Sequence, residues 1–247
     1  MPGTLAYVPA RAGSERVPGK NLQPLAGHPL IAYAIASAVE SELFDAVVVS
    51  TDSEEIAGVA RSYGAEVPCL RPAELSTATS PDIDWVLHLT GALEGEGRPV
   101  ERFAILRPTS PFRSADTIRR AHAALLALGE RADSIRAVER CRQHPGKMWV
   151  LDGELMAPLL PQPEGETPLH SRQYQALPPV YAQNSSLEIA WRHVLDGPLP
   201  TISGTRIAPF LTDPVEGLSI DYPEDIARAE ELVRRSEAML PAVGAFR

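Results

Sequence analysis

The chain has 247 residues, 44% of them apolar, and carries a formal net charge of −9. That length and apolar share supply the core of one sizeable α/β domain and exclude a disordered or fibrous chain, while the acidic balance argues against a nucleic-acid partner, which needs a broad basic face. No run approaches the roughly 18 apolar residues of a membrane span, and no basic-then-apolar leader opens the sequence, so the expectation is a soluble, cytoplasmic protein with no membrane partner. Cys69 and Cys141 match no metal spacing and are expected to be reduced structural thiols.

In chain order, LAYVPA (5–10) reads as a strand, PLIAYAIASAVES (29–41) as a helix and FDAVVVSTD (44–52) as a buried strand. SEEIAGVARSYG (53–64) is a helix with a Ser N-cap and a Gly at its end. SPDIDWVLHLTGALEG (80–95) reads as helix, RFAILRP (102–108) as strand, SADTIRRAHAALLALG (114–129) as a helix capped by Ser114 or Asp116, and DSIRAVER (133–140) as strand. Strands alternating with helical crossovers predict a doubly wound, mostly parallel α/β sheet. From about 143 to 183 the chain is rich in proline and polar residues and reads as an inserted arm within a single 1–247 domain. Periodicity returns in SLEIAWRHVL (186–195), and 216–240 ends in a helix entered through Pro223, with Glu224 and Asp225 in its first turn.

Ligands of open α/β sheets sit at the carboxyl ends of strands. Two such ends carry unusual loops. In VPARAGSERVPGKN (8–21), Gly13 and Gly19 allow turns that present backbone N–H groups, and Arg11, Arg16 and Lys20 add cations, a combination suited to phosphate oxygens. It is neither a Walker loop nor a GxGxxG fingerprint. RPTSPFR (107–113) is stiffened by two prolines and offers the hydroxyls of Thr109 and Ser110 and the charges of Arg107 and Arg113, a set that suits a carboxylate-bearing substrate. The six histidines show no metal spacing; His144 reads as a turn residue before Pro145, and Trp85, Trp149 and Trp191 as core or interface residues.

Several blocks, in order along essentially the whole chain, carry a family resemblance. VPARAGSERVPGKN resembles the N-terminal signature of the acylneuraminate cytidylyltransferases, the CMP-sialic acid synthetase-like family. FDAVVVSTDSEEIAGVARSYGAEV, LRPAEL, LRPTSPFR, HPGKMWVLDGE and SIDYPEDIARAE resemble its later blocks. The resemblance implies a nucleotide-diphospho-sugar transferase-like, Rossmann-like fold. It also implies transfer of CMP from CTP to the anomeric hydroxyl of an α-keto sugar acid, with pyrophosphate released. CTP and an acidic keto-sugar would be the partners and Mg²⁺ the cofactor.

Residue by residue, the resemblance implies that Arg11 and Lys20 hold the triphosphate, with the backbone of Ala12, Gly13 and Ser14 assisting and Asn21 close by. Arg71 would border the cytidine. Arg107, Thr109, Ser110, Arg113 and Asn184 would meet the sugar. The arm would cross to a second subunit in a homodimer with shared sites, lending Lys147 and Arg172 in trans. The family closes its site with two aspartates one residue apart; here that pair is Ser219 and Asp221, which leaves Asp221 as the principal Mg²⁺ ligand and Ser219 as a weak one. Arg107 stands where the family commonly has Gln, Ala182 where it has Arg, and Ser185 where it has Gly. These departures imply a sugar whose substituents differ from those of N-acetylneuraminate. The alternatives are a cytidylyltransferase for another acid, of octulosonate type, and a nucleotide-binding module without turnover.

Overall fold

The computed structural model describes residues 3–244; the outermost residues of the expected domain, 1–2 and 245–247, lie outside them. The chain begins with β1 (Gly3–Pro9), the short antiparallel pair β2 (Pro24–Leu25) and β3 (His28–Pro29), and α1 (Leu30–Ser41). Next come β4 (Ala46–Ser50), α2 (Glu54–Ser62), α3 (Asp82–Gly95), β5 (Val100–Ile105), α4 (Ala115–Leu128) and β6 (Ser134–Arg140). The hairpin β7 (Trp149–Asp152) and β8 (Leu155–Pro158), then β9 (Tyr181–Trp191), β10 (Ile207–Leu211) and α5 (Pro223–Arg234) complete it.

Six strands form the central sheet in the order β10-β6-β9-β5-β1-β4. β9 runs antiparallel to both β5 and β6, and the other pairings are parallel. The mostly parallel α/β sheet therefore stands as expected. β9 is reversed because it returns from the arm instead of from a helical crossover, and only parallel neighbours need a crossover.

Strand side chains alternate between faces, and both faces of this sheet are covered. Ala6, Val8, Val47, Val49 and Ala104 join one core with Ile31, Ile35, Ile56 and Ile118 of α1, α2 and α4. Leu5, Tyr7, Val48, Phe103 and Ile105 meet Trp85, Leu89 and Leu93 of α3 on the other. This is why β1 and β4 read as unbroken apolar runs. Tyr7 stacks on Phe103, and burial raises its phenol pKa to about 12.

Two elements escape the periodicity. β10 carries Pro209 in mid-strand, which is tolerated because β10 is an edge pairing only with β6. The arm holds a hairpin turned by Gly153, at φ +59°, and Glu154; the Asp152-Gly153 step is its local signal within an irregular composition.

Ser114 caps α4 reciprocally. Its Oγ accepts from Thr117 N at 3.1 Å, while Thr117 Oγ1 accepts from Ser114 N at 3.2 Å. Ser114→Ala should lower stability by about 1 kcal/mol in urea melts without changing the m-value.

Candidate active site

The carboxyl ends of β1 and β5 open into a cleft of about 450 Å³. Its wall carries five cations, Arg11, Arg16, Lys20, Arg71 and Arg107, against two carboxylates, Glu15 and Asp82. In a chain of net charge −9, this is a local reversal of sign that favours a polyanionic ligand.

The loop after β1 is held from both sides. Ala12 N donates to Asp52 Oδ1 at 2.8 Å, and the buried Asn21 donates from Nδ2 to the Arg11 carbonyl at 2.9 Å. Gly19, at φ +61°, turns the chain into the 3₁₀ turn Lys20–Leu22 and so aims Lys20. Lys20 Nζ then donates to the Ile220 carbonyl at 3.1 Å and to Asp221 Oδ1 at 3.2 Å. Arg16 approaches the same oxygen at 3.4 Å and lies over the Tyr222 ring. Burial alone would raise the Asp221 carboxyl; its bond with Ser219 and the charges of Lys20 and Arg16 outweigh this and hold it below its ordinary value. Ala12 and Gly13 shape the loop without joining the cleft wall, which takes Arg11 and Ser14 instead.

Arg71 is 6% exposed; it donates from Nε to Ser50 Oγ at 3.0 Å and from Nη2 to Ser50 O at 2.8 Å, with its guanidinium over Trp85. Burial lowers its pKa to about 10, so it stays charged at neutral pH. Arg107 pairs with Asp82, which also accepts from Trp85 Nε1 at 2.8 Å. Burial would raise the Asp82 carboxyl, but Arg107 and the Trp85 bond hold it low. Arg107 also lines a second, smaller cleft together with Asn184 and Ser185.

Thr109 lies on the main wall, and its carbonyl accepts from Ile220 N at 2.7 Å, which ties this loop to the Asp221 segment. Ser110 and Arg113 differ from the expectation of sugar ligands: each is 1% exposed. Arg113 Nη1 donates to the carbonyls of Arg107, at 3.2 Å, and of Ser186. It thus fastens the loop to β9 from beneath, with its pKa lowered by burial to about 9. Asn184 donates to Thr212 Oγ1 at 2.8 Å, and Ser219 Oγ lies 3.5 Å from Ser185 Oγ.

Lys147 and Arg172 lie together in the arm, outside both cleft walls. Lys147 Nζ donates to the His170 and Arg172 carbonyls at 3.1 and 2.7 Å, and Arg172 pairs with Glu166 at 2.7 Å. His144 holds the turn before them, accepting from Gly146 N at 2.9 Å. Sequence reasoning missed the opposite wall of the main cleft, Thr77, Ala78, Ser80 and Asp82. The polar run STATSPD, which leads into α3, carries that signal, folded on itself by a 2.7 Å contact between Thr77 and Ser80 hydroxyls.

A family model described as cytidylyltransferase matches residues 5–89. The chain is 36% identical over 240 residues to the CMP-N,N'-diacetyllegionaminic acid synthase of Legionella pneumophila, covering 96% of this chain and 98% of that protein. It belongs to the nonulosonic acid cytidylyltransferase family. Shorter matches join it to the N-acylneuraminate cytidylyltransferase of Escherichia coli O18:K1:H7, 41% identical over 46% of this chain and 26% of that one. The pseudaminic acid cytidylyltransferase of Campylobacter jejuni is 36% identical over 48% of this chain and 51% of its own. The fold is that of a CMP:2-keto-3-deoxy-manno-octonic acid synthetase structure, with a TM-score of 0.67 at 14% identity, covering 94% of this chain and 99% of that one.

The two arginines should separate ligand binding from folding. Arg11 makes one long bond, to Ser76 O at 3.4 Å, so Arg11→Ala should change stability by less than about 0.5 kcal/mol. Arg71→Ala strands a buried hydroxyl and carbonyl and should cost about 2 kcal/mol; urea denaturation of both variants checks this.

Proposed function

We propose that the protein transfers CMP from CTP to the anomeric hydroxyl of a nonulosonic, sialic acid-like α-keto sugar acid and releases pyrophosphate. One observation carries this reading: the cation-lined cleft at the strand ends, in a chain that matches a CMP-nonulosonate synthase along nearly its full length. The hydroxyl oxygen forms a bond to the α-phosphorus and gives up its proton to solvent as the bond to the pyrophosphate oxygen breaks. Catalysis then rests on positioning and charge neutralisation. In this reading Arg11 and Lys20 hold the triphosphate and stabilise the departing pyrophosphate, the loop at 12–14 and Asn21 assist, and Arg71 borders the cytidine. Arg107, Thr109 and Asn184 meet the sugar acid, with Arg113 and Ser110 supporting them from below. An enzyme drawing on CTP in this way would work in the cytoplasm.

Mg²⁺ fits the residues present. Among the described residues no group of three or more His, Cys, Asp or Glu forms a cage, and Mg²⁺ commonly takes one or two carboxylates plus phosphate oxygens and water. Asp221, held ionised, would be its protein ligand, with Ser219 offering a hydroxyl or a bound water. Once bound, the ion would neutralise triphosphate charge and polarise the phosphoryl oxygens. The Asp221 side chain is free of helix-capping duty, because Asp225 Oδ2 accepts from both Asp221 N and Tyr222 N at the start of α5.

Pyrophosphate release from CTP and Mg²⁺ with a panel of α-keto sugar acids tests the assignment. Turnover with a nonulosonic acid is expected. Preference for an octulosonate would favour the other acid class, and tight CTP binding with no turnover would favour a binding module. Asp221→Asn should keep the melting temperature within a few degrees and lower kcat about a hundredfold; normal turnover at limiting Mg²⁺ would place the metal elsewhere.

The same proposal includes a homodimer. On the arm hairpin Leu151 is 79% and Leu155 78% exposed, with Val150 and Met156 also open, an apolar face that invites a partner surface. Lys147 and Arg172, held together beside it, would complete the partner's site. Mixing Arg11→Ala with Arg172→Ala protein should restore part of the activity, since some mixed dimers hold one intact site. A monomer by light scattering at micromolar concentration, or no restoration after subunit exchange, would count against sharing.

A further inference from the structure

Three of the five cations on the main cleft wall already face a carboxylate. Arg107 pairs with Asp82, while Lys20 and Arg16 both reach one oxygen of Asp221, at 3.2 and 3.4 Å. Arg11 and Arg71 spend their bonds on neutral groups of Ser76 and Ser50. A triphosphate carries roughly four negative charges, one on each inner phosphate and nearly two on the last. With Arg71 bordering the cytidine, the phosphates would meet Arg11 alone unless Lys20 and Arg16 turn to them.

Asp221 is set behind the wall. Lys20 and Arg16 line the cleft and Asp221 does not, so the two side chains stand between the carboxylate and the space a polyanion would fill. They hold it unequally. Lys20 has 14% of its side chain exposed and a second bond, to the Ile220 carbonyl at 3.1 Å. An ammonium has three donors, so that bond can persist while the one to Asp221 turns over. Arg16 has 57% of its side chain exposed, makes the longer contact, and lies over the Tyr222 ring. An exposed pair of this kind contributes little, which makes Arg16 the more easily drawn off. Asp221 keeps its place without either cation, since Asp225 Oδ2 accepts from its backbone N–H at 2.9 Å and Ile220 N donates to the Thr109 carbonyl at 2.7 Å.

We propose that Asp221 and the phosphates of the ligand compete for Lys20 and Arg16, so that a triphosphate claims both side chains as it binds and thereby uncovers the carboxylate. The inference rests on the reading that Lys20 holds a triphosphate, and it adds Arg16, which that reading leaves without a part. The coupling runs both ways: whatever occupies Asp221 in place of the two side chains strengthens the hold on phosphate. Competition and support also differ in sign. If Asp221 only held Lys20 in position, its loss would weaken phosphate binding; as a competitor, its loss strengthens it.

Calorimetric titration in EDTA, with no sugar acid present, separates the two without turnover. Asp221→Asn should bind CTP and inorganic pyrophosphate about fivefold more tightly than wild type, the scale of one partly exposed ion pair. CMP, which lacks the outer phosphates, should change by less than about twofold, and its binding shows that the fold is intact. An equal gain on CMP would mean plain repulsion by the carboxylate and overturns the inference, as would unchanged or weaker binding of CTP and pyrophosphate. Arg16→Met, at an exposed position, should weaken pyrophosphate binding at least about threefold. Unchanged binding there overturns the exchange of Arg16, and this variant keeps the inference refutable should Asp221→Asn fail to fold. If wild type binds CTP no more tightly than CMP, the reading of Lys20 as a triphosphate ligand falls by itself, and the pyrophosphate titrations still decide the competition.

Discussion

The contact of Lys20 with the Ile220 carbonyl and Asp221 holds the candidate site together. It joins residues 200 and 201 positions apart, and so sets the loop after β1 against the segment that precedes α5. Each side has anchors of its own, the loop through Asp52 and Asn21 and the segment through Thr109 and Asp225, and the contact sets one against the other. The pair is half-shielded from water, where an ion pair is worth more than on open surface yet still requires both partners. Burial raises the Asp221 carboxyl, but the bond from Ser219 together with this contact holds it below its ordinary value, and the contact screens one of the wall's cations. The remaining positive charge has too few carboxylates beside it, and a polyanionic ligand would relieve that imbalance.

The wall after β5 is organised by charge of a different kind. Arg113 is sealed beneath the wall and spends its bonds on carbonyls of the Arg107 loop and of β9. Its Nη1 joins two pieces of backbone, while its buried Nε and Nη2 have no partner, so losing the Nη1 bonds would leave the buried cation with no acceptor at all. The wall shared by the two clefts is therefore stiff, while Arg107 on its surface holds Asp82.

Much of this was legible in the sequence, for physical reasons that differ by region. Helix starts at Ser53 and Ser114 could be read because a cap is a local bond, and both bonds are present. Apolar runs such as β4 could be read because strands buried on both faces leave no alternation. The cations of the first loop could be read because glycines and prolines set them at a strand end. The direction of β9, the pairing of β10 and the burial of Arg113 could not, since each depends on a partner far along the chain. An arginine in a proline-stiffened loop reads as a surface ligand until Ser186 of β9 is known to lie against it. The wall at 77–80 was hidden for the opposite reason: short polar segments look like any turn until the cleft they face is seen.

The placement of β9 has a consequence for how the chain is assembled. β5 and β6 are successive strands that never touch, since β9 fills the gap between them and arrives only after the entire arm. Until Trp191 has been synthesised, the trio β5-β1-β4 and the lone strand β6 each present an open edge, and an unpaired edge is a template for wrong partners. Closing the gap means threading a late strand between two early ones, the kind of sequence-distant pairing that slows folding. The second cleft, lined by Ile105, Arg107 and Arg136 as well as by residues 183–185, 187 and 188 of β9, is thus complete only once that late strand is in place.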